Sequence, residues 1–517
     1  MVGELSPQIT DLIKYEWQLV RDCAQGEKRM KDMGELYLPR KSGNTNKQYD
    51  DYKKRAKWAP YLEEALHQRH GMIFRREPDI EYTDDELGSL TECIKNFNYE
   101  GDSLYQFASD VVFDNMQTCF GGILVDMPHT EGSLTMFEAK EKGIRPFAKY
   151  YKAESVKDWS FITENGVKYL SLVVLEEEVE KRKDEFAHEI IKQHRVIDLD
   201  ENKMCRVRVF SEIEDEKTHK KQDVCTNTSF IVINGKPIDY IPFYFMPNKK
   251  PETPIFYSLA ELNKHYYMQS ADYQNGVHWT TIPTGTLTGH KPVLDKKTKL
   301  PVPISLGQDV FLEVEEAEAK FGTLQFAGEG LGHCETALKQ TEEQVGVLGT
   351  RSISPDKAMS ETSDAAKIHR QGENAKLATY ARNISEIFSK VLQIMADWQG
   401  VKTRCIVRFN IDFDTTTFDP NMINAIANLS RERKFPLPLI YEALKRGEII
   451  HDISFEQYVL LLTMEDRGIT PEEEIEAYKK MLAGEEVEFK SKVSTKEIVD
   501  DASQTKADKG EDFLSKK

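Results

Sequence analysis

The chain has 517 residues, of which 39% are hydrophobic, 30% charged and 10% aromatic, enough apolar material for more than one core and a length that predicts about three or four domains. Lys and Arg number 69 against 87 Asp and Glu, a net charge of −18, which excludes nucleic-acid binding by a whole-molecule basic field but leaves room for local basic patches. No stretch approaches the roughly 18 consecutive apolar residues of a membrane span, and the mean hydropathy is −0.55.

The amino-terminal MVGELSPQITDLIKYEW has early acids and no apolar block, which argues against a secretory signal. Seven cysteines, Cys23, Cys93, Cys119, Cys205, Cys225, Cys334 and Cys405, are scattered without a C-x-x-C pair. An odd, unpaired set points to free thiols in a reducing compartment.

The first quarter reads as helical. In residues 49–70, Tyr52, Ala56, Ala59, Leu62 and Leu66 recur at helical spacing, and Pro60 should kink or restart the helix. After the turn signal Gly101-Asp102, Leu104, Phe107, Val111 and Met116 mark a second amphipathic helix over 103–120, which ends at Gly121-Gly122 and gives way to a buried strand, ILVDMP. From about 144 to 250 alternation and β-branched runs take over, with Asn-Gly turns at Asn165-Gly166 and Asn234-Gly235, so a mostly antiparallel β unit is expected there.

Ser258 with Glu261 forms a capping-box pattern opening a helix that stops before Pro283. Short Gly- and Pro-separated strands follow over 283–330, with a basic turn at Lys296, Lys297 and Lys299. A helix over about 333–347 leads to the loop LGTRSISPDK, and Ser354-Pro355 offers the cap and first turn of a long helix reaching Gly400. In its second half Leu377, Ala381, Ile384, Phe388, Val391, Met395 and Trp398 step by four and three, a seam buried along one side. Its first half is small and polar. A strand pair is expected near TRCIVRFNIDF, then short capped helices opening at Asp419-Pro420, Pro438, Ser454 and Thr470-Pro471, then a polar tail from about 487.

Chemistry is scarce. Gly328, Gly330 and Gly332 give G-x-G-x-G without the rest of a dinucleotide fingerprint, and no G-K-S/T follows a glycine run, so no nucleotide site is expected. His333 and Cys334 are adjacent and point to different sides of a helix, and no Cys or His pair has zinc-ligand spacing. Asp412 and Asp414 would share one face of a strand, where two acids can hold Mg²⁺ or Mn²⁺ in a nuclease or simply be solvated on an edge strand. Tyr257, Tyr266, Tyr267, Tyr273 and Trp279 crowd one helix, a density that suits packing better than base stacking. No metal, cofactor or catalytic group is expected.

The stretches YKKRAKWAPYLEEALHQRHGMIFRREP, FGGILVDMP, LNKHYYMQSADYQNGVHWTTIPTGTLTG and ETSDAAKIHRQGENAKLATYARNISEIFSKVLQIMADW resemble a family of tailed-bacteriophage portal proteins found in prophages and often described only as a domain of unknown function. The resemblance covers roughly residues 45–470. It implies an α+β, portal-type fold: a mixed α/β wing (1–257), a stem helix (258–282), a small β clip (283–330), a second stem helix (331–347), a tunnel loop (348–357), a long wing-crossing helix with returning wing strands (358–418), an α-helical crown (419–486) and a tail (487–517).

The resemblance further implies a virion component: a ring, usually of twelve subunits, assembled in the bacterial host cytoplasm and seated at one capsid vertex. Its partners would be the major capsid protein and scaffold, the terminase large subunit, a head-to-tail adaptor, and double-stranded DNA passing non-specifically, with no membrane. Arg351 and Lys357 in the tunnel loop, with Lys367 and Arg370 on the adjoining helix, would face the DNA, and Lys296, Lys297 and Lys299 would form the clip's docking tip. An acidic chain without a nucleotide site suits a passive, non-enzymatic conduit, because a uniformly basic wall would bind the phosphate backbone and stall it. The rival expectations are a metal-dependent nuclease using Asp412 and Asp414, and a phage assembly factor that forms no channel.

Overall fold

In a computed structural model, the residues described are 3–84, 88–128, 141–182, 184–214, 221–233, 236–281, 284–289, 291, 294–295, 318–324, 328–346, 348, 363–413 and 437–446, with single positions at 138, 453, 455, 457–459 and 461. The chain divides into two compact units, Met1–Phe413 and Asp414–Lys517.

The first unit is α+β. It opens with α1 (Asp11–Ala24), α2 (Glu27–Asp32), α3 (Asn46–Arg55) and α4 (Tyr61–Ile73), then β1 (Asp79–Glu81), α5 (Ser89–Lys95) and α6 (Leu104–Thr118). The break between α3 and α4 falls where Pro60 stands, as expected of a residue that cannot donate to the preceding turn. Capping boxes at Thr45–Gln48 and Ser103–Gln106 start α3 and α6.

The chain then enters β2 (Gly121–Asp126) and β3 (Phe147–Lys152), followed by a meander of β4 (Val156–Glu164), β5 (Val167–Arg182), β6 (His188–Leu199), β7 (Cys205–Glu214) and β8 (Lys221–Phe230). Every pairing in that five-stranded sheet is antiparallel. The β4–β5 connection is Asn165-Gly166, both at positive φ (50° and 78°), the backbone an Asn-Gly hairpin turn requires. Short β9 (Val232–Ile233) and β10 (Lys236–Pro237) pair with each other, and the Asn-Gly between them lies outside the described residues. β11 (Phe243–Phe245) completes a three-stranded sheet of order β11-β2-β3.

Next come α7 (Tyr257–Thr281), the hairpin of β12 (Thr284–Thr288) and β13 (Lys320–Leu324), α8 (Leu331–Val345), α9 (Ser363–Trp398) and β14 (Ile406–Arg408). α7 begins one residue before Ser258, with the Phe256 carbonyl accepting from the Ala260 N–H, so Ser258 and Glu261 do not form the expected cap. The fully buried Phe256 ring anchors that end.

One core serves the unit. Phe120, just ahead of β2, packs between Trp17 of α1, Trp159 of β4 and Phe245 of β11, with ring centroids 5.9, 5.1 and 5.9 Å away. The expected seam of α9 is buried throughout, and Phe388 within it meets Phe97, Phe107 and Phe409.

Gly122 lets the three-stranded sheet close: a Cβ there would strike the Phe243 ring and come within 2.9 Å of the Tyr244 carbonyl oxygen. Gly122→Ala is therefore expected to cost about 1–3 kcal/mol through overpacking against backbone, visible as a lower denaturation midpoint of the purified chain. An unchanged midpoint would show that the sheet can yield there.

The strand pair expected near 403–413 is corrected. β14 is a single strand that pairs with β1, Ile80 opposite Val407. Three polar residues at four-residue steps on α9 hold it sideways: Ser385 Oγ accepts from Phe409 N (3.1 Å), Ser389 Oγ from Val407 N (2.8 Å) and Gln393 Oε1 from Cys405 N (3.0 Å). The strand's backbone thus finds partners in a helix face and in a strand far away in sequence.

The second unit is described at α10 (Leu437–Arg446) and a few later positions. Tyr441 is buried there, donates to the Ile453 carbonyl at 2.5 Å, and contacts the rings of Phe455 and Tyr458 at 5.4 Å. The described positions 455, 457–459 and 461 are helical, where a helix opening at Ser454 is expected, while the helices expected at Asp419-Pro420 and Thr470-Pro471, and the tail from 487, lie outside the described residues.

Candidate functional site: a helical arm with a β hairpin

The feature most unlike a plain globular core is α7, the β12–β13 hairpin and α8. The first two-thirds of α7 is built into the core. Leu259, Ala260, Asn263, Tyr267, Ser270 and Ala271 are buried, and from Asp272 to Thr281 no residue is. Asn263 is a buried amide with both ends satisfied: Oδ1 accepts from Leu62 N at 3.1 Å and Nδ2 donates to the Ala59 carbonyl at 2.9 Å, fixing the α3–α4 connection. Tyr267 meets Trp58 edge to face at 5.7 Å. Most of the aromatic crowding seen in the sequence is thus packing, with Trp279 the exception at 50% exposure.

α3 braces the middle of α7. Tyr52 donates to Asp272 Oδ1 at 2.7 Å, Lys41 pairs with the same oxygen at 2.7 Å, and Arg55 Nη2 lies 3.1 Å from His278 Nε2. Burial and the Asp272 carboxylate push the Tyr52 phenol well up, so it stays a donor.

α8 lies along the outer part of α7. Gly276 faces Leu331 at the start of α8, where a Cβ on it would fall 2.8 Å from Leu331 Cδ2. Thr341 Oγ1 bonds Gln269 Oε1 at 2.9 Å, and Tyr266 and Tyr61 both donate to Glu342 Oε1, at 3.1 and 3.4 Å. Burial and that carboxylate raise the Tyr266 phenol. At the far end the hairpin pairs Thr284–Thr288 with Lys320–Leu324 and carries exposed Phe321 and Leu324. Just beyond α8, the Leu348 carbonyl accepts from Arg69 Nη2 at 3.3 Å.

Of the residues singled out from the sequence, Lys296, Lys297, Lys299, Arg351 and Lys357 lie outside the described residues. Lys367 and Arg370 stand three positions apart near the start of α9. The acidic pair is corrected: the strand ends at Arg408, and Asp412 lies in irregular backbone with its N–H on Asn410 Oδ1, so the strand-alternation argument for pairing it with Asp414 does not hold. Asp414 is outside the described residues. Gly328 and Gly330 shape the turn into α8, with Leu331 N bonded to the Gly328 carbonyl. Among the described residues, no three His, Cys, Asp or Glu side chains converge as a metal site would need, and no helix is long and apolar enough to cross a membrane.

A family described as a domain of unknown function, DUF4055, matches residues 255–399, the stretch from the start of α7 to the end of α9. No curated protein matches the chain. Among solved structures the chain is similar to one from the "Neck of empty GTA particle computed with C6 symmetry", at 9% identity and a TM-score of 0.32, covering 72% of this chain and 84% of that one.

Proposed function

We propose that the chain is the subunit of a phage portal: a closed ring at one capsid vertex that conducts double-stranded DNA during packaging and ejection, docks the terminase, and later holds the head-to-tail adaptor. One observation carries the reading. A helix leaves the core, bears a small β hairpin at its outer end, returns as a second helix beside itself, and is followed by a long helix buried along one seam. That order is the one expected of the stem, clip, second stem and wing helix in the portal plan which the sequence resembles. The DUF4055 match, residues 255–399, spans the same stretch, from α7 to α9.

The chemistry assigned to such a conduit is modest. Repeated around a ring, Arg351 and Lys357 with Lys367 and Arg370 would make circles of positive charge that touch phosphates without reading sequence. These contacts are screened by salt, so they resist slippage without gripping. Lys296, Lys297 and Lys299 would offer the clip a positive tip on an acidic protein, suited to an acidic face of a partner. Any ATP hydrolysis belongs to that partner, and the ring itself is passive.

Mass photometry and negative-stain imaging of the purified full chain should give closed rings with an axial channel. Arg351→Glu should leave rings and procapsids intact while lowering packaged DNA, and charge reversal of the three clip lysines should weaken terminase docking with rings preserved. A monodisperse monomer even beside capsid protein sinks the portal reading. Normal packaging of a full genome by Arg351→Glu removes that residue from the channel wall.

A further inference from the structure

Among the described residues the five-stranded sheet has two open edges, and they are chemically unlike its interior hairpin. Among the described residues, β4 and β8 are the terminal strands, in the order β4-β5-β6-β7-β8. β5 and β6 run on together past both neighbours, pairing as far as Arg182 opposite His188, whereas β4 reaches only Leu175 of β5 and β7 only Gln193 of β6. That outer ribbon is dense with charge: Glu176 to Lys183 reads EEEVEKRK. Charge of this kind is the usual guard against stray strand pairing.

The true edges lack that guard. Along β8, Val224 to Phe230 (VCTNTSF) contains no charge and no proline, and Val224, Cys225, Thr226, Asn227 and Thr228 are all exposed. Its one irregularity is a bulge at Thr226, between Cys225 opposite Phe210 and Asn227 opposite Val209. On β4, Trp159 to Thr163 (WSFIT) is likewise uncharged, and Ser160, Ile162 and Thr163 are exposed. Among the described residues, only the start of that edge is taken by another segment, where Ser6 N donates to the Lys157 carbonyl at 2.7 Å. Each edge alone is a template for another strand.

We propose that β8 of one copy pairs with the Trp159–Glu164 part of β4 of the next copy, making the sheet continuous from subunit to subunit. The inference rests on the ring reading and names a contact that would hold the ring together. Five antiparallel strands make the first and last run the same way, so a head-to-tail neighbour related by a small rotation presents β4 parallel to β8. A two-fold β8–β8 contact would instead be antiparallel, slightly stronger per residue, but would leave both β4 edges open. A head-to-tail contact that closes consumes both edges at once.

The native thiols supply the test. Cys225 on β8 and Cys334 on α8 are exposed, whereas the other five cysteines are buried. Burial pushes the Cys119 and Cys405 thiols up to about 11, which leaves them poorly reactive. In full-length protein carrying Cys334→Ser, a cysteine is placed in turn at Ser160, Ile162 and Thr163, the protein is oxidised with diamide, and products are sized by non-reducing gel beside mass photometry of the untreated sample.

At least one position should give a covalent ladder climbing past the dimer, lost when Cys225→Ser is added, because adjacent strands bring Cα atoms within disulfide range. A Cys225–Cys225 dimer with no ladder from any β4 position overturns the proposal in favour of two-fold pairing. Rings without any cross-link overturn it alone and leave the portal reading standing. A monomer at micromolar concentration overturns both.

Discussion

Glu177→Ala should destabilise the first unit by about 3–5 kcal/mol, the cost of removing one member of a buried charge cluster and stranding the others. The Glu177 side chain is 2% exposed, on β5, with Lys149 Nζ of β3 at 2.9 Å from its Oε1. Tyr151 donates a short hydrogen bond to the same oxygen, and Gln193 Nε2 donates to Oε2 at 2.8 Å. Arg195 Nε stands 3.1 Å from Oε1, near enough for an ion pair but without hydrogen-bond geometry, while its Nη1 reaches Asp126 at 2.7 Å. Five residues from three strands, β2, β3 and β6, meet on this β5 carboxylate or its arginine, joining the three-stranded sheet to the meander.

Burial alone would raise the Glu177 pKa, but Arg195, Lys149 and the Tyr151 hydroxyl outweigh it and bring it down to about 2, from an ordinary 4.5. A depressed acid contributes stability that is fully present above its unfolded pKa and is lost as pH falls through its folded one. The loss therefore belongs between about pH 4.5 and 2, and amounts to roughly 3 kcal/mol. Urea titrations at pH 7 and pH 3 should show a large gap between wild type and Glu177→Ala at the first pH and a smaller gap at the second. A gap independent of pH would mean that packing, not charge, accounts for the loss. Arg408, paired with Glu81 at an exposed strand end, is the contrast: its pairing is open to solvent and should matter little.

How far the sequence discloses this depends on whether a signal is local. The seam of α9 is legible because seven residues repeat at one helical spacing, and the β4–β5 turn because Asn-Gly prefers one backbone. The outer β5–β6 ribbon was not, since a strand built from EEEVEKR and HEIIKQ has neither alternation nor β-branched density, and its order comes from cross-strand pairs such as Glu178 with Lys192. The capping pattern at Ser258 misled because Phe256, buried and bulky, fixes where α7 starts. β14 falls where a strand is expected, but its pairing is illegible for the opposite reason: its partners, β1 and the Ser385–Ser389–Gln393 face, are invisible to any local window. The arm is legible as an order of elements, helix, hairpin, helix, whereas its bracing by Asn263, Asp272 and Glu342 needs the fold.

Asn115→Leu should be at least as damaging as loss of Glu177. Asn115 is fully buried on α6, its Nδ2 donating to the Met246 carbonyl (2.9 Å) and the Phe120 carbonyl (3.2 Å), its Oδ1 accepting from the Tyr380 hydroxyl (2.8 Å). One amide thereby ties α6, the entry to β2, the exit of β11 and the long helix α9. Leucine has nearly the same size but no polar atoms. It would leave the Met246 carbonyl and the Tyr380 hydroxyl without these partners, while the Phe120 carbonyl would keep Thr118 Oγ1 at 3.0 Å. Each orphaned buried group costs about 1–3 kcal/mol, a large share of the roughly 5–15 kcal/mol that holds a domain together. Tyr380→Phe alone should cost less, since it orphans only Oδ1. Combining the two should recover part of the loss, because the hydroxyl left without an acceptor is then gone. Strict additivity of the two variants in denaturant midpoints, or a wild-type midpoint for Asn115→Leu, would show that this junction does not hold α9 in the core.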